Sequence, residues 1–298
     1  MKLTVARFAI GAAVALAALS CDSLTPDTDE YDLIFIGEQD GQEIILRTGP
    51  AAGAIEAVGE GIPASHVDAN ADGSALVFHQ VDASTGDHRL MLFRDDMVDP
   101  VPLSGATGVM DREAVWSPDG TRIAFVAHRD DSYGDVFTAT LSGTHLSNVA
   151  NLTPASTSPD MTPAWSPDGQ SIAFTSYRGG YPSLWIMNAT GSNARQVTFG
   201  ANEFSDYFPS WSPEGGLLAF QRIGATASRI GLVPAGGGEP VFFALDGRNY
   251  SPALSPDGKY LAIASNDGDV KVLSASGTLI RHVERAGNDH SPAWIRRR

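Results

Sequence analysis

The sequence predicts an all-β fold, a six-bladed β-propeller with four antiparallel strands in each blade, and three observations lead to this prediction. A five-residue motif returns at nearly even intervals along most of the chain. Short apolar runs separated by turn-forming residues follow each copy, and no segment after the N-terminal leader keeps a helical period. The chain also contains 31 Gly and 18 Pro, a usage that suits many strands joined by tight turns.

The repeated motif is Trp-Ser-Pro-Asp-Gly or a variant of it. From a degenerate first copy to a truncated last one, its Trp position falls at Ala69, Trp116, Trp165, Trp211, Leu254 and Trp294. The steps between these positions are 47, 49, 46, 43 and 40 residues, a period typical of one four-stranded propeller blade. In Ser-Pro-Asp-Gly, Pro at the second position and Gly at the fourth favour a type I turn, so a hairpin is predicted after each copy.

The two ends of the chain complete the count of blades. The segment that begins at Tyr31 matches the second strand of a blade, whereas residues 290–295 supply only a first strand. Pairing of this C-terminal strand with the N-terminal blade would close six blades and remove exposed strand edges. The motif tryptophans would then lie between neighbouring blades, and we interpret them as packing anchors rather than as an aromatic cage. They are Trp116, Trp165, Trp211 and Trp294.

The N-terminus has the features of a lipoprotein signal. Two basic residues precede an apolar run of 12 residues, 8–19, which is too short to cross a bilayer. The sequence Ala-Leu-Ser-Cys that ends at Cys21 resembles the lipobox of bacterial lipoproteins, in which the cysteine is lipidated. No other cysteine exists to pair with Cys21, although a plain secretory signal is the alternative. The predicted divisions are a signal peptide at 1–20, a lipidated tether at 21–30 and a propeller at 31–298.

The motif also carries a family resemblance. The pattern Trp-Ser-Pro-Asp-Gly, followed after two residues by Ile or Leu, then Ala and Phe, resembles the repeat of TolB-type β-propellers from about residue 31 to residue 298. The resemblance implies a six-bladed periplasmic domain, here without the α/β domain that precedes the propeller in TolB. Similar repeats occur in propellers attached to prolyl-oligopeptidase-like peptidases and in some polysaccharide lyases, so the resemblance implies fold more than activity.

One position of the repeat carries an acidic or amide side chain in five copies. Counting back five residues from the Trp position gives Asp111, Asp160, Asp206, Asn249 and Asp289, with Ala64 in the degenerate copy. This position should enter the innermost strand of each blade, so a ring of carboxylates is expected at one mouth of the central channel. Such a ring could bind a cation or attract a basic peptide. The alternative is local, because Asp and Asn also shape turns through backbone hydrogen bonds.

Histidines give a second candidate site. His66 and His290 lie just before the innermost strands of adjacent blades, and Asp289 directly precedes His290. These three residues form a candidate metal site. The alternative is that they are ordinary exposed histidines. No cofactor is predicted apart from this open question of a divalent cation in the channel mouth.

The net charge of the chain and the absence of known catalytic motifs limit the functions that the sequence allows. A net charge of −15 and a pI of about 4.7 argue against nucleic-acid binding. The sequence contains no G-x-S-x-G, H-E-x-x-H, Walker or dinucleotide-binding motif. We therefore predict a monomeric, lipid-anchored, extracytoplasmic propeller that binds a protein or peptide, without catalysis, at the bacterial cell envelope. The alternative is a divergent metal-assisted lyase or hydrolase that acts on an extracellular polysaccharide or peptide at the channel mouth.

Overall fold

The computed structural model describes residues 30–59, 61–82, 84–103, 110–129, 133–200, 203–285 and 287–297. Over these residues the chain forms six four-stranded antiparallel sheets. The same residues contain no helix that is long and apolar enough to cross a membrane. The strands are β1 (Tyr31–Gln39), β2 (Gln42–Thr48), β3 (Glu56–Ala57), β4 (His66–Ala69), β5 (Ala75–Val81), β6 (His88–Arg94), β7 (Val101–Pro102), β8 (Arg112–Trp116), β9 (Arg122–Ala127), β10 (Asp135–Ser142), β11 (His145–Asn151), β12 (Asp160–Trp165), β13 (Ser171–Ser176), β14 (Ser183–Asn188), β15 (Arg195–Gln196), β16 (Phe204–Trp211), β17 (Leu217–Gly224), β18 (Ser228–Pro234), β19 (Val241–Phe242), β20 (Asn249–Leu254), β21 (Tyr260–Ser265), β22 (Val270–Ser274), β23 (Leu279–Val283) and β24 (His290–Arg296).

The sheets are the blades of a closed propeller, which confirms the predicted fold. Blade 1 has the strand order β24-β1-β2-β3, and blades 2 to 6 each take the next four strands of the chain. The innermost strands are therefore β24, β4, β8, β12, β16 and β20, and each contacts the next one around the ring. The ring closes as the sequence predicts, because β24 pairs antiparallel with β1 and places Trp294 opposite Leu33.

The hydrophobic core consists of six clusters, one at each interface between neighbouring blades. Strand β1 shows why the strands are continuously apolar. Leu33 and Phe35 point towards blade 6, whereas Ile34 and Ile36 point towards blade 2. Since side chains alternate between the two faces of a strand, a strand buried on both faces needs apolar residues at every position.

The Ser-Pro-Asp-Gly segments form the tight turns that the sequence predicts. In blade 3, the Ser117 hydroxyl donates to the Asp119 carboxylate (2.6 Å), which also accepts the Thr121 N–H (3.0 Å). Gly120 has a φ of 67°, a backbone conformation that favours glycine. The same Ser–Asp contact recurs in blades 4 and 6. These turns lead from the innermost strand into the second strand and surround one end of the channel, which we call the turn mouth.

The four motif tryptophans lie at the interfaces between blades. Each packs with its own blade against residues of the blade before it. Two also form hydrogen bonds across the interface, since the indole N–H of Trp211 donates to the Ala164 carbonyl (3.0 Å) and that of Trp294 to the Ala253 carbonyl (2.9 Å). The side chains therefore join neighbouring blades near the channel.

Candidate functional site

The innermost strands enclose a central cavity of about 450 Å³ that extends to the turn mouth. Its wall is mainly apolar, and the four motif tryptophans and several prolines contribute to it. Four charged or titratable side chains lie in this wall besides a tyrosine. They are His66, Asp68, Glu113 and Arg296.

Five of the six innermost strands carry a β-bulge at the same place. In each bulge one residue that is not glycine adopts a left-handed backbone conformation, and its side chain contributes to the cavity wall. These residues are Glu113, Thr162, Phe208, Ser251 and Ser291, with φ between 47° and 55°. Such conformations are uncommon outside glycine and cluster at functional sites. Five blades therefore each hold one strained backbone conformation at the channel wall.

Sequence reasoning did not identify these residues, although the repeat contains a signal for them. Each lies three residues before the Trp position, and proline follows it in four of the five copies. Proline lacks an N–H and disfavours a regular strand interior, so it marks a bulge. Aligning the copies on proline as well as on tryptophan would have identified the ring.

Two carboxylates face the cavity from adjacent blades. In blade 2, Asp68 accepts the backbone N–H of Trp116 (2.7 Å), and burial raises the pKa of Asp68 to about 7 against the opposing effect of that hydrogen bond. In blade 3, Glu113 accepts the backbone N–H of Thr162 (2.7 Å), and burial also raises the pKa of Glu113, opposed mainly by nearby Arg112. Both side chains thus reach from one blade to the next. They are the acidic groups that the wall presents to the cavity.

A row of histidines crosses blade 2 from the channel outward. The ring of His66 stacks on His79 with centroids 6.4 Å apart, and His79 stacks on His88 at 5.2 Å. Burial, with a smaller effect from His290, lowers the pKa of His66 to about 4. Burial also lowers the pKa of His79 to about 3, and His66 and His88 add to that shift. The imidazoles of His66 and His79 are therefore neutral at neutral pH.

This row predicts a loss of stability in acid. The folded state holds His79 neutral, whereas the unfolded chain takes up a proton as the pH falls below about 6.5, so stability decreases from there towards pH 3. For His79 the expected loss between pH 7 and pH 5 is about 2 kcal/mol. Urea unfolding at several pH values should show this loss in the wild type and a smaller one in His79→Gln. Equal pH dependence in the two proteins would contradict the prediction, and His145→Gln, on the exposed face of β11, is the matched control.

The predicted ring of Asp111, Asp160, Asp206, Asn249 and Asp289 lies at the start of the innermost strands, at the opposite end from the turn mouth. Its side chains are buried in the blades, and none contributes to the wall of the central cavity. Four of the five form ion pairs with arginines, and the distances are 2.5 Å for Arg129–Asp111, 2.6 Å for Arg178–Asp160, 2.7 Å for Arg222–Asp206 and 3.2 Å for Arg285–Asp289. The structure thus places these side chains inside the blades and, in four copies, against arginines, and binding of a cation or a basic peptide by this ring stays a prediction.

Aromatic rings support three of these ion pairs. The guanidinium groups of Arg129, Arg178 and Arg222 lie 5.3 to 5.5 Å from the ring centres of Phe125, Phe174 and Phe220. Asn249 differs, because its amide donates to the backbone carbonyl of Asp246 (3.1 Å). Sequence reasoning missed these three arginines because they belong to the second strand or the loop after it, although each follows the repeated Phe by two or four residues.

The three candidate metal ligands are not brought together. His66 lies in the channel wall, the Nε2 of His290 is 3.1 Å from Glu43, and Asp289 pairs with Arg285. Among the described residues, one other group of three has ligand atoms close enough for a shared ion, namely Asp267, Asp269 and His282. The ammonium of Lys271 already lies 2.8 Å from Asp267. Metal binding by the chain stays untested.

Comparison with known families gives a match over about two thirds of the chain. Residues 103–297 match the family described as the TolB beta propeller domain. No curated protein matches the chain.

Solved structures with the same architecture are distant in sequence. TolB from Acinetobacter baumannii has a TM-score of 0.72 at 17% identity, and the alignment covers 89% of this chain and 66% of that one. A TolB-like structure from Agrobacterium tumefaciens has a TM-score of 0.68 at 14% identity, covering 90% and 99% of the two chains. A chain of the nidogen/laminin complex also reaches 0.68, at 11% identity, covering 89% and 98%. At such identities the likeness concerns the fold alone.

Proposed function

Because the chain belongs to the TolB β-propeller family, we propose that it is a non-enzymatic module that binds a protein or peptide partner through its central cavity, at the bacterial cell envelope. The observation that carries this proposal is the cavity itself. It is open at the turn mouth, has a mainly apolar wall and is surrounded by six buried apolar interfaces between blades. Pre-formed concave sites with an apolar wall and a few polar groups are typical of ligand binding.

A variant with a narrower entrance to the cavity tests the proposed binding function. Ala71 is exposed at the turn mouth and contributes to the cavity wall, so Ala71→Trp should obstruct entry without entering the core between blades. Leu279 lies on the outer strand β23 with 54% of its surface exposed, so Leu279→Trp adds the same side chain away from the cavity. The tagged wild type and each variant would be expressed in the native organism and isolated from it. The proteins that co-purify with each would be quantified by mass spectrometry. We expect a recurrent partner of the wild type and of Leu279→Trp to be lost from Ala71→Trp, and equal recovery from all three would contradict the function.

We further propose that Cys21, which lies outside the described residues, carries a lipid that anchors the protein to a membrane on its extracytoplasmic side. The position of the cysteine after a short apolar run supports this. More than one acyl chain is needed for stable attachment, since one chain binds only marginally.

The lipid anchor makes a separate prediction. Cys21→Ala should lose labelling by a fatty-acid analogue and should move from the membrane fraction to the soluble extracytoplasmic fraction. Membrane fractionation and metabolic labelling measure both effects. Unchanged labelling of Cys21→Ala would contradict the lipid anchor and leave the binding function standing.

A further inference from the structure

The chain enters the propeller at the turn mouth. Strand β1 begins at Tyr31, which pairs with Arg296 at the end of β24. The backbone of Arg296 lies against Gly73 in the turn of blade 2, and Tyr31 contributes to the wall of the central cavity. Glu30, the first described residue, therefore lies at the edge of the cavity entrance.

Three contacts hold this entry point in place. The backbone N–H of Arg297 donates to the Glu30 carbonyl (2.8 Å). The carboxylate of Asp32 accepts hydrogen bonds from the guanidinium groups of Arg47 (2.8 Å) and Arg297 (2.5 Å). These contacts join the start of β1 to the end of β2 and to the residue that follows β24. A segment that precedes Glu30 thus starts from the turn mouth.

The predicted tether is too short to bring the opposite end of the propeller to a membrane. Cys21 and Glu30 are nine residues apart, and a fully extended chain of that length spans about 32 Å. Strand β1 has nine residues and is itself about 30 Å long. A path along the outside of blade 1 must also cross β2 and β3, so it requires about 40 Å. A lipid on Cys21 would therefore hold the turn mouth, rather than the opposite end, near the membrane.

The charge of the turn mouth argues against its adhesion to the lipid surface itself. The turns of blades 2 to 5 each present an exposed acidic residue at this end, namely Asp72, Asp119, Asp168 and Glu214. The whole chain has a net charge of −15. Anionic lipids attract clusters of basic residues and repel carboxylates. The apolar cavity behind these turns fits a segment of a protein better than a lipid headgroup.

We propose that the turn mouth faces the membrane that carries the Cys21 anchor, and that the central cavity binds a segment of a protein attached to the same membrane. This inference rests on the proposed function and names the kind of partner. The tether keeps the cavity entrance within about 30 Å of the membrane surface. Attachment of both proteins to one membrane raises their effective concentration for each other.

Energy transfer to membrane lipids tests the orientation. The chain from Cys21 onward, which contains every described residue, would be coupled through its single cysteine to a maleimide phospholipid in vesicles. The anchor then does not depend on lipidation by the cell. A donor dye would be attached through an azide-bearing amino acid at Ala71, exposed at the turn mouth, or at Gln42, exposed at the opposite end of blade 1.

With an acceptor dye on the lipid headgroups, the two donors report their distances from the membrane. We expect the Ala71 donor to be nearer than the Gln42 donor by about 20–30 Å, which is the length of the blade. Equal distances, or a nearer Gln42 donor, would overturn the proposed orientation.

A longer tether is the matched control. Insertion of about 30 Gly and Ser residues between Asp29 and Glu30 gives a linker with an average end-to-end distance of about 35 Å, which exceeds the length of the blade. The insertion should greatly reduce the difference between the Ala71 and Gln42 donors and leave urea unfolding unchanged. An unchanged difference would show that the blades themselves adhere to lipid, and would overturn the role of the tether.

The membrane attachment of the partner is tested in cells. A photo-reactive phenylalanine at Ala71 would capture the partner, which mass spectrometry identifies. In cells that lack this protein, we expect the same partner to remain in the membrane fraction. Its recovery in the soluble fraction would retain the binding function and reject a partner on the same membrane. A nearer Ala71 donor without any partner lost from Ala71→Trp would retain the orientation and reject the binding function.

Discussion

We expect deletion of residues 290–298 to abolish the cooperative unfolding transition of the propeller. Strand β24 is the innermost strand of blade 1, and its pairing with β1 is the only pairing of strands between the two ends of the described ring. Its loss exposes the edge of β1, whose residues Leu33 to Ile36 are fully buried in the closed ring. An exposed apolar edge strand favours aggregation. Circular dichroism during urea unfolding and light scattering would measure the two effects.

A milder variant measures the same closure. Trp294 is buried, its ring stacks on Tyr260 with centroids 5.8 Å apart, and its indole N–H donates to the Ala253 carbonyl. Trp294→Ala should therefore lower the free energy of unfolding by about 3–5 kcal/mol. Phe199→Ala removes another aromatic ring, but at a position with 75% of its surface exposed, so it should change stability by less than about 0.5 kcal/mol. Similar losses in the two variants would contradict the closure by β24.

The second large effect concerns the buried ion pair of blade 5. Asp206 is fully buried and accepts two hydrogen bonds from Arg222, each 2.7 Å long. Asp206→Ala leaves the guanidinium of Arg222, whose side chain is 17% exposed, above Phe220 and Phe242 without its counter-ion. We expect a loss of about 3–5 kcal/mol in the free energy of unfolding, because an uncompensated buried charge is strongly unfavourable.

The double variant separates charge from packing. Asp206→Leu/Arg222→Met replaces both partners by apolar side chains and should be much closer to the wild type than Asp206→Ala. Asn249 holds the corresponding position of blade 6, where its amide bonds to a backbone carbonyl, so a blade folds without this ion pair. Urea unfolding of the single and double variants measures the coupling. A double variant as unstable as Asp206→Ala would show that the ion-pair geometry itself is required.

The repeat motif was sufficient to predict the blades and the closure of the ring. Ser-Pro-Asp-Gly turns mark the innermost hairpins of blades 3, 4 and 6, and the variants Ser-Pro-Glu-Gly and Asn-Ala-Asp-Gly mark those of blades 5 and 2. The apolar runs that begin at Leu33 and Ile123 are short enough to be single strands. These features depend on local turn chemistry and on apolar runs, which a sequence displays directly. The lone first strand at residues 290–295 then requires a partner at the N-terminus.

The orientation of the site residues could not be predicted in the same way. In a regular strand, residues two apart share a face, so Asp111 and Glu113 should point in the same direction. The structure instead buries Asp111 against Arg129 and turns Glu113 into the channel wall, because Glu113 is itself the left-handed residue of a bulge between Arg112 and Val115. A bulge adds one residue and resets the alternation. For this reason the sequence identified the acidic ring and missed the inward-facing one.

Site-specific photo-cross-linking in living cells tests the central claim most directly. A photo-reactive phenylalanine would replace Ala71 or Pro167, two exposed residues of the cavity wall at the turn mouth, or Leu279 or Val241 on outer strands. Binding through the central cavity predicts a recurrent cross-linked partner from Ala71 and Pro167 and none from Leu279 and Val241. The same partner captured only from the outer strands would show that the protein binds through the edges of its blades, and would contradict the account.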